Sequence, residues 1–171
     1  HATIRRQRQM CIRDRGKNVY KWHSGYCSSS TPHIIFSVSK SLTALLIGCI
    51  IEEGLITEET LVSQVIPEAE GSAFEDASIR NLLDMSVSSN FIEDYEATSG
   101  IFLDYRQSTG WNPQDIDDKS HLKSFLLGLK KNTHSHGEKF EYHSTNTDML
   151  GIITEKCTGK KYAHYFYEKL M

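Results

Sequence analysis

The sequence predicts an α+β chain. Three observations carry the prediction: one strand-forming run near the N-terminus, one helix that is apolar on nearly every face, and a series of shorter amphipathic helices after it. Length and composition fit a single domain. The 171 residues are 39% apolar, and glycine brings that share to about 45%, the usual figure for a globular chain. A net charge of −3 and a pI near 6.2 argue against a nucleic-acid-binding protein. The longest largely apolar run, residues 42–51, is too short to cross a bilayer.

The first 15 residues stand apart. They hold Arg5, Arg6, Arg8, Arg13 and Arg15 against Asp14 alone, so the remainder must carry −7 to reach the net −3. No apolar stretch follows these arginines, so they do not read as a secretory signal. Residues 1–15 are expected to be a non-native or disordered leader, with a genuine basic arm as the alternative. The domain is expected to occupy residues 16–171.

Residues 18–25 read as a strand, because Val19, Tyr20 and Trp22 favour extended backbone and Ser24-Gly25 ends the run. A Ser-rich loop leads to Pro32. The helix expected over 37–53 carries Leu42, Leu45, Leu46, Ile47, Ile50 and Ile51 around its circumference, which predicts burial on all sides. Gly54 is its C-cap candidate. Thr57 opens a short helix that ends by Pro67, and Ser78 caps another carrying Ile79, Leu82 and Leu83. Residues 86–118 show no sustained period and are expected to form an irregular, functional wall or lid. Leu122, Phe125, Leu126 and Leu129 predict a helix over 119–131, and two more helices are expected over 146–157 and 162–170.

Two short motifs carry chemistry. Ser37-Val38-Ser39-Lys40 places a hydroxyl and an amine three residues apart at a helix start, so that the amine can reach the hydroxyl. A serine is a weak nucleophile until a base removes its proton, and a lysine with a depressed pKa is such a base. The helix N-terminus favours the developing negative charge. Ser120-His121-Leu122-Lys123 has the same spacing, but its helix has a polar side through which Lys123 reaches water. The plain alternative for Ser37 and Lys40 is a capping serine beside a snorkelling lysine. Tyr142-His143-Ser144 supplies a phenol that can move protons, against the alternative of a partly buried aromatic; Tyr26-Cys27-Ser28 has the same form.

Together the motifs resemble one family. Phe36 to Ser41, the apolar helix, Glu52-Glu53-Gly54, then residues 78–86, and finally Phe140-Glu141-Tyr142-His143-Ser144-Thr145-Asn146 are similar to the class C β-lactamase and penicillin-binding-protein superfamily of serine hydrolases. Phe91-Ile92-Glu93-Asp94-Tyr95, Gly110-Trp111 and the Tyr-x-Ser form point to its 6-aminohexanoate-oligomer hydrolase and esterase branch. The resemblance implies a β-lactamase-like fold, a helical region against an antiparallel sheet. It implies an enzyme that hydrolyses small esters or amides through an acyl-enzyme. Ser37 would be the nucleophile, Lys40 its base and Tyr142 the proton shuttle. Ser144 and Tyr95 would bind substrate, and the Ser37 N–H would donate to the oxyanion. No cofactor is implied. The family's Lys/His-Thr-Gly strand is missing, since Cys157-Thr158-Gly159-Lys160 reads as a helix C-cap. The chain is therefore expected to be an N-terminal fragment, inactive by itself. A non-catalytic relative that binds without turnover is the alternative.

A zinc site built from His134, His136, His143 and Glu138 is the one metal arrangement worth weighing, and its four residues share one flexible stretch. The better reading is a solvated polar turn. Asp115, Asp117 and Asp118 read as cap and solvent residues. The four cysteines are expected to be reduced.

Overall fold

A computed structural model describes residues 9–23, 25, 27–113 and 121–171. The chain divides into two compact units, residues 1–38 and 39–171. The first holds an antiparallel pair, β1 (Gln9–Asp14) and β2 (Lys17–His23). Ile12 faces Tyr20 and Asp14 faces Lys17, with a bulge between Ile12 and Arg13. Arg15 and Gly16 form the two-residue turn, both at positive φ (46° and 77°). That pair of angles matches the right-handed twist of a hairpin, and glycine supplies one of them without strain. The expected leader boundary at residue 15 thus falls inside a hairpin turn, and residues 9–14 are a paired strand. Residues 1–8 lie outside the described part.

The second unit is helical. α1 (Val38–Glu52) ends in a Schellman motif, with Gly54 at φ +72° and the Leu55 N–H donating to the Ile50 carbonyl at 3.2 Å. Its burial is one-sided, which corrects the expectation of burial all round. Thr43, Leu46, Ile47 and Ile50 face the core, whereas Leu45 is 57% exposed.

α2 (Val62–Val65) begins four residues later than an N-cap at Thr57 implies, because Thr57 and Thr60 close a turn of their own: the Thr57 N–H donates to Thr60 Oγ1 at 2.9 Å. A 3₁₀ turn follows at Pro67–Ala69. Ser78 caps α3 (Ile79–Leu83) as its position suggests, accepting from the Asn81 N–H at 3.2 Å.

The stretch read as irregular contains a helix, α4 (Ile101–Ser108), whose Phe102, Tyr105 and Ser108 are buried. α5 (Leu122–Gly128) is shorter than its apolar pattern. α6 (Ser144–Thr158) starts two residues before Asn146 and ends at Gly159 in the left-handed region, which makes Cys157-Thr158-Gly159 the helix end that was expected. α7 (Tyr162–Leu170) packs on α6, and the Tyr162 hydroxyl meets Thr43 Oγ1 of α1 at 2.8 Å.

The core joins Leu46, Ile47 and Ile50 to Val62, Phe74, Leu82, Leu126, Met149 and Ile153, all fully buried. Phe91 lies at one edge of it. Its ring centroid is 5.3 Å from Tyr105, 5.4 Å from His143 and 6.1 Å from Phe102 and Phe125, mostly in edge-to-face contacts. All four cysteines are free thiols. Among the described residues no helix is long and apolar enough to cross a membrane.

Candidate active site

Ser37 directly precedes α1, in a turn closed by the Val38 N–H and the Ile35 carbonyl at 3.1 Å. Phe36 before it sits at φ +43°, a conformation that costs a non-glycine residue about 1–2 kcal/mol. Such strain is characteristic of functional turns. Ser37 belongs to the first unit; the remaining candidates belong to the second.

Lys40 lies in the first turn of α1, half-buried, with its Nζ 5.3 Å from the centroid of the Tyr142 ring. The two residues are more than 100 positions apart in sequence, and a cation over a phenol ring is an attractive arrangement. Tyr142 is held by its neighbours. The Glu141 N–H donates to the Met85 carbonyl at 2.7 Å, and the next residue but one after Tyr142 begins α6. Tyr142 itself remains 40% exposed.

Ser144 and Tyr95 converge on one carboxylate that the motif reading did not single out. Glu93 accepts from the Ser144 backbone N–H at 2.5 Å and from Ser144 Oγ at 2.8 Å, and it also accepts from the Tyr95 hydroxyl. Its place at the N-terminus of the 15-residue α6 is electrostatically favourable. The hydrogen bond to Glu93, aided by burial, pushes the Tyr95 pKa up to about 12. Tyr95 thus keeps its proton.

One helical turn beyond Ser144, Asp148 accepts from the Tyr105 hydroxyl at 2.7 Å. Burial pushes the Asp148 carboxyl up to about 6; the Tyr105 bond and the Lys40 charge oppose this, and Glu93 adds to it. Burial, with Asp148 second, drives the Tyr105 phenol well above its ordinary value. Glu93, Asp148 and Tyr105 are the residues the sequence reading missed. Glu93 lies inside the quoted run 91–95. Asp148 is signalled only by its i, i+4 spacing from Ser144, and Tyr105 sits in the helix that was not foreseen.

An open cleft of about 550 Å³ adjoins these groups, lined by Ser89–Glu93, Asn132 and Glu141–His143. The histidines near it have other work. His136 Nδ1 accepts from the Ser88 N–H at 2.9 Å, so its Nε2 carries the proton facing Asp76 Oδ1 at 3.0 Å. His134 Nε2 lies 3.1 Å from a Glu141 oxygen, close enough for an ion pair but without hydrogen-bond alignment. His143 lies against Phe91, with Nδ1 3.5 Å from Ser89 Oγ. Glu138 accepts from the Ser135 N–H at 3.0 Å. Among the described residues no group of three or more His, Cys, Asp or Glu side chains is arranged to hold a metal. Of the rival Ser-x-x-Lys pair, Lys123 pairs with Glu68 at 2.8 Å in solvent; Ser120, Asp115, Asp117, Asp118 and Tyr26 lie outside the described residues.

The family model described as Beta-lactamase matches residues 3–171. The 6-aminohexanoate-dimer hydrolase of Paenarthrobacter ureafaciens is 34% identical over 142 residues, 81% of this chain and 36% of that protein. A solved structure described as a 6-aminohexanoate-dimer hydrolase from Bacillus anthracis is 25% identical, with a TM-score of 0.75 over 87% of this chain and 39% of that one. A β-lactamase structure from Bacteroides dorei DSM 17855, at 19% identity and a TM-score of 0.71, covers 95% of this chain and 44% of that one, and shares the fold. The chain spans about a third of the length of the first of these curated relatives.

Proposed function

The chain belongs to the β-lactamase family, and from this premise we propose that it carries the nucleophile, base and proton shuttle of a serine hydrolase of small esters or amides. The observation that supports this best is the approach of Lys40 and Tyr142, whose amine-to-ring distance is 5.3 Å. They are a base and an acid from two distant motifs. Tyr142 lines an open cleft, and Lys40 sits in the first turn of the helix that Ser37 directly precedes. The similarity to a 6-aminohexanoate-dimer hydrolase supports an amide among the substrates.

In this reading Lys40 takes the Ser37 hydroxyl proton as Ser37 Oγ attacks the substrate carbonyl. The negative charge that develops on the carbonyl oxygen faces the N-terminus of α1 and the Ser37 N–H. Tyr142 passes a proton to the departing alcohol or amine, leaving an acyl-serine. Water then attacks the acyl group, and the same residues move its proton in the opposite direction. Ser144 and Tyr95 line the substrate side. No step calls for a cofactor.

The test is covalent labelling. A fluorophosphonate or p-nitrophenyl acetate is expected to add its phosphonyl or acetyl group to Ser37, read by intact mass and peptide mapping. Label on Ser39 or Ser41 instead, or turnover without label on Ser37, removes Ser37 from the mechanism.

A further inference from the structure

We propose that His136 is an acid-released latch on the turn over residues 132–141, so that in mild acid the cleft loosens where that turn lines it. The inference goes beyond the hydrolase reading and does not rest on it. Two segments meet the imidazole. The Ser88 N–H, from the loop after α3, donates to Nδ1 at 2.9 Å. Asp76 Oδ1, from the stretch between the 3₁₀ turn and α3, faces Nε2 at 3.0 Å. The side chain is only 7% exposed, so water is poorly placed to replace either partner. Backbone bonds add to the attachment: the Gly137 N–H donates to the Ser86 carbonyl at 2.9 Å, and the Glu141 N–H to the Met85 carbonyl at 2.7 Å. Those bonds do not titrate in mild acid, whereas the His136 bond does. Nδ1 accepts only while it lacks a proton. A proton there sets two donors against each other, and the attraction becomes a repulsion.

The surrounding charges decide which way acid acts. Asp76 favours the charged ring and resists release, but Lys131 already pairs with that carboxylate. Burial opposes the charged ring most, and Lys131 and His134 add to it. The balance holds the His136 pKa below the ordinary imidazole range. The closed latch therefore has its full strength above about pH 6.5 and weakens as pH falls, by about 10-fold per unit until the seated ring itself titrates. A proton on His134 would draw Glu141, 3.1 Å away, closer, so that contact works against release. Asn132 at one end of the turn and Glu141 at the other both line the 550 Å³ cleft, and an opened turn takes that part of its wall away.

Hydrogen exchange read by NMR on the 171-residue chain tests this at pH 7.5 and 5.5, with protection taken relative to the unstructured rate at each pH. Ser88 and Gly137 are expected to exchange through a local opening, with less protection than Ile50 and Ile153 in the helical core at both pH values. Ser88 protection should fall by about 5- to 10-fold between the two, in step with protonation of His136 Nδ1 read from imidazole nitrogen shifts. His136→Asn keeps an acceptor near the place of Nδ1 and does not titrate, so it should flatten the change at Ser88. His134→Gln should leave that change in place. The unsubstituted chain decides the matter even if the Asn variant does not fold: Ser88 protection equal to that of the core, or unchanged between the two pH values, overturns the proposal. A pH dependence at Ser88 that survives His136→Asn, or that vanishes with His134→Gln, overturns it as well.

Discussion

Asp148 is held in the site at a cost in stability, because burial disfavours its charged form. Its folded pKa, about 6, lies above that of an ordinary carboxylate, so the folded chain binds more protons than the unfolded chain between about pH 4 and 6. The sign follows: stability falls as pH rises through that window, and the penalty persists at neutral pH. Asp148→Asn, which keeps an acceptor for Tyr105, should therefore raise Tm at pH 7.5. The gain is at most about 3 kcal/mol, and it should shrink to little at pH 4. Parallel melts of both proteins at the two pH values check this. Activity should move the other way, because the carboxylate charge beside Lys40 is lost. In the active protein, Lys40→Ala and Tyr142→Phe should each lower kcat by about 100-fold or more, and Lys123→Ala should leave it nearly unchanged, in steady-state ester assays. Lys40 and Tyr142 were singled out from motif spacing, and the fold brings the amine to 5.3 Å from the ring. Glu93 and Asp148 were not, because their roles depend on hydrogen bonds to residues 51 and 43 positions away.

The helices show where pattern reading stops. α1 is apolar on most faces, and nothing in its sequence distinguishes Leu46, fully buried, from Leu45, 57% exposed; tertiary packing alone decides. Leu46→Ala should cost about 2–5 kcal/mol in denaturant melts, while Leu45→Ala should stay within about 0.5 kcal/mol. α4 escaped notice because its eight residues lie among glycines and scattered aromatics, although Phe102 and Tyr105 have helical spacing. The turn over residues 132–141 is pinned through His136, which joins the Ser88 N–H to Asp76; Lys131 holds Asp76 as well. Burial holds the His136 and His143 pKa values below the ordinary range; for His136, Asp76 opposes the shift while Lys131 and His134 add to it. Each histidine therefore destabilises the fold as pH drops below about 6.5, where the unfolded chain gains a proton that the folded chain resists. His136→Ala should cost about 1–3 kcal/mol at pH 7.5, by orphaning the Ser88 N–H, and should flatten the loss of Tm between about pH 7.5 and 5.5.

Strand and helix class, most of the element positions and the family were all readable, since they rest on local propensity and on motif order. The β1–β2 hairpin was half read. Its first strand, Gln9–Asp14, falls inside the stretch whose arginines suggested a tail, yet Arg15-Gly16 is a turn that pairs the flanking backbone. The share of the relatives that this chain spans leads to a further expectation. Residues 16–171 by themselves should hydrolyse esters slowly: the resemblance implies a second oxyanion donor beside the Lys/His-Thr-Gly strand, and losing a single such donor costs about 100- to 1,000-fold in kcat. Joining the chain to the C-terminal segment of a relative should restore the rate. Equal rates with and without that segment would show residues 16–171 to need no such segment for turnover.

The three hydrogen bonds on Glu93 bind the heritable fate of three positions together. Replacing Glu93 takes the acceptor from both hydroxyls and from the first N–H of α6 at once, whereas Ser144→Ala or Tyr95→Phe removes one donor and leaves Glu93 with the other side chain and the backbone N–H of residue 144. Of the three positions, 93 should therefore tolerate substitution least in a scan of single replacements.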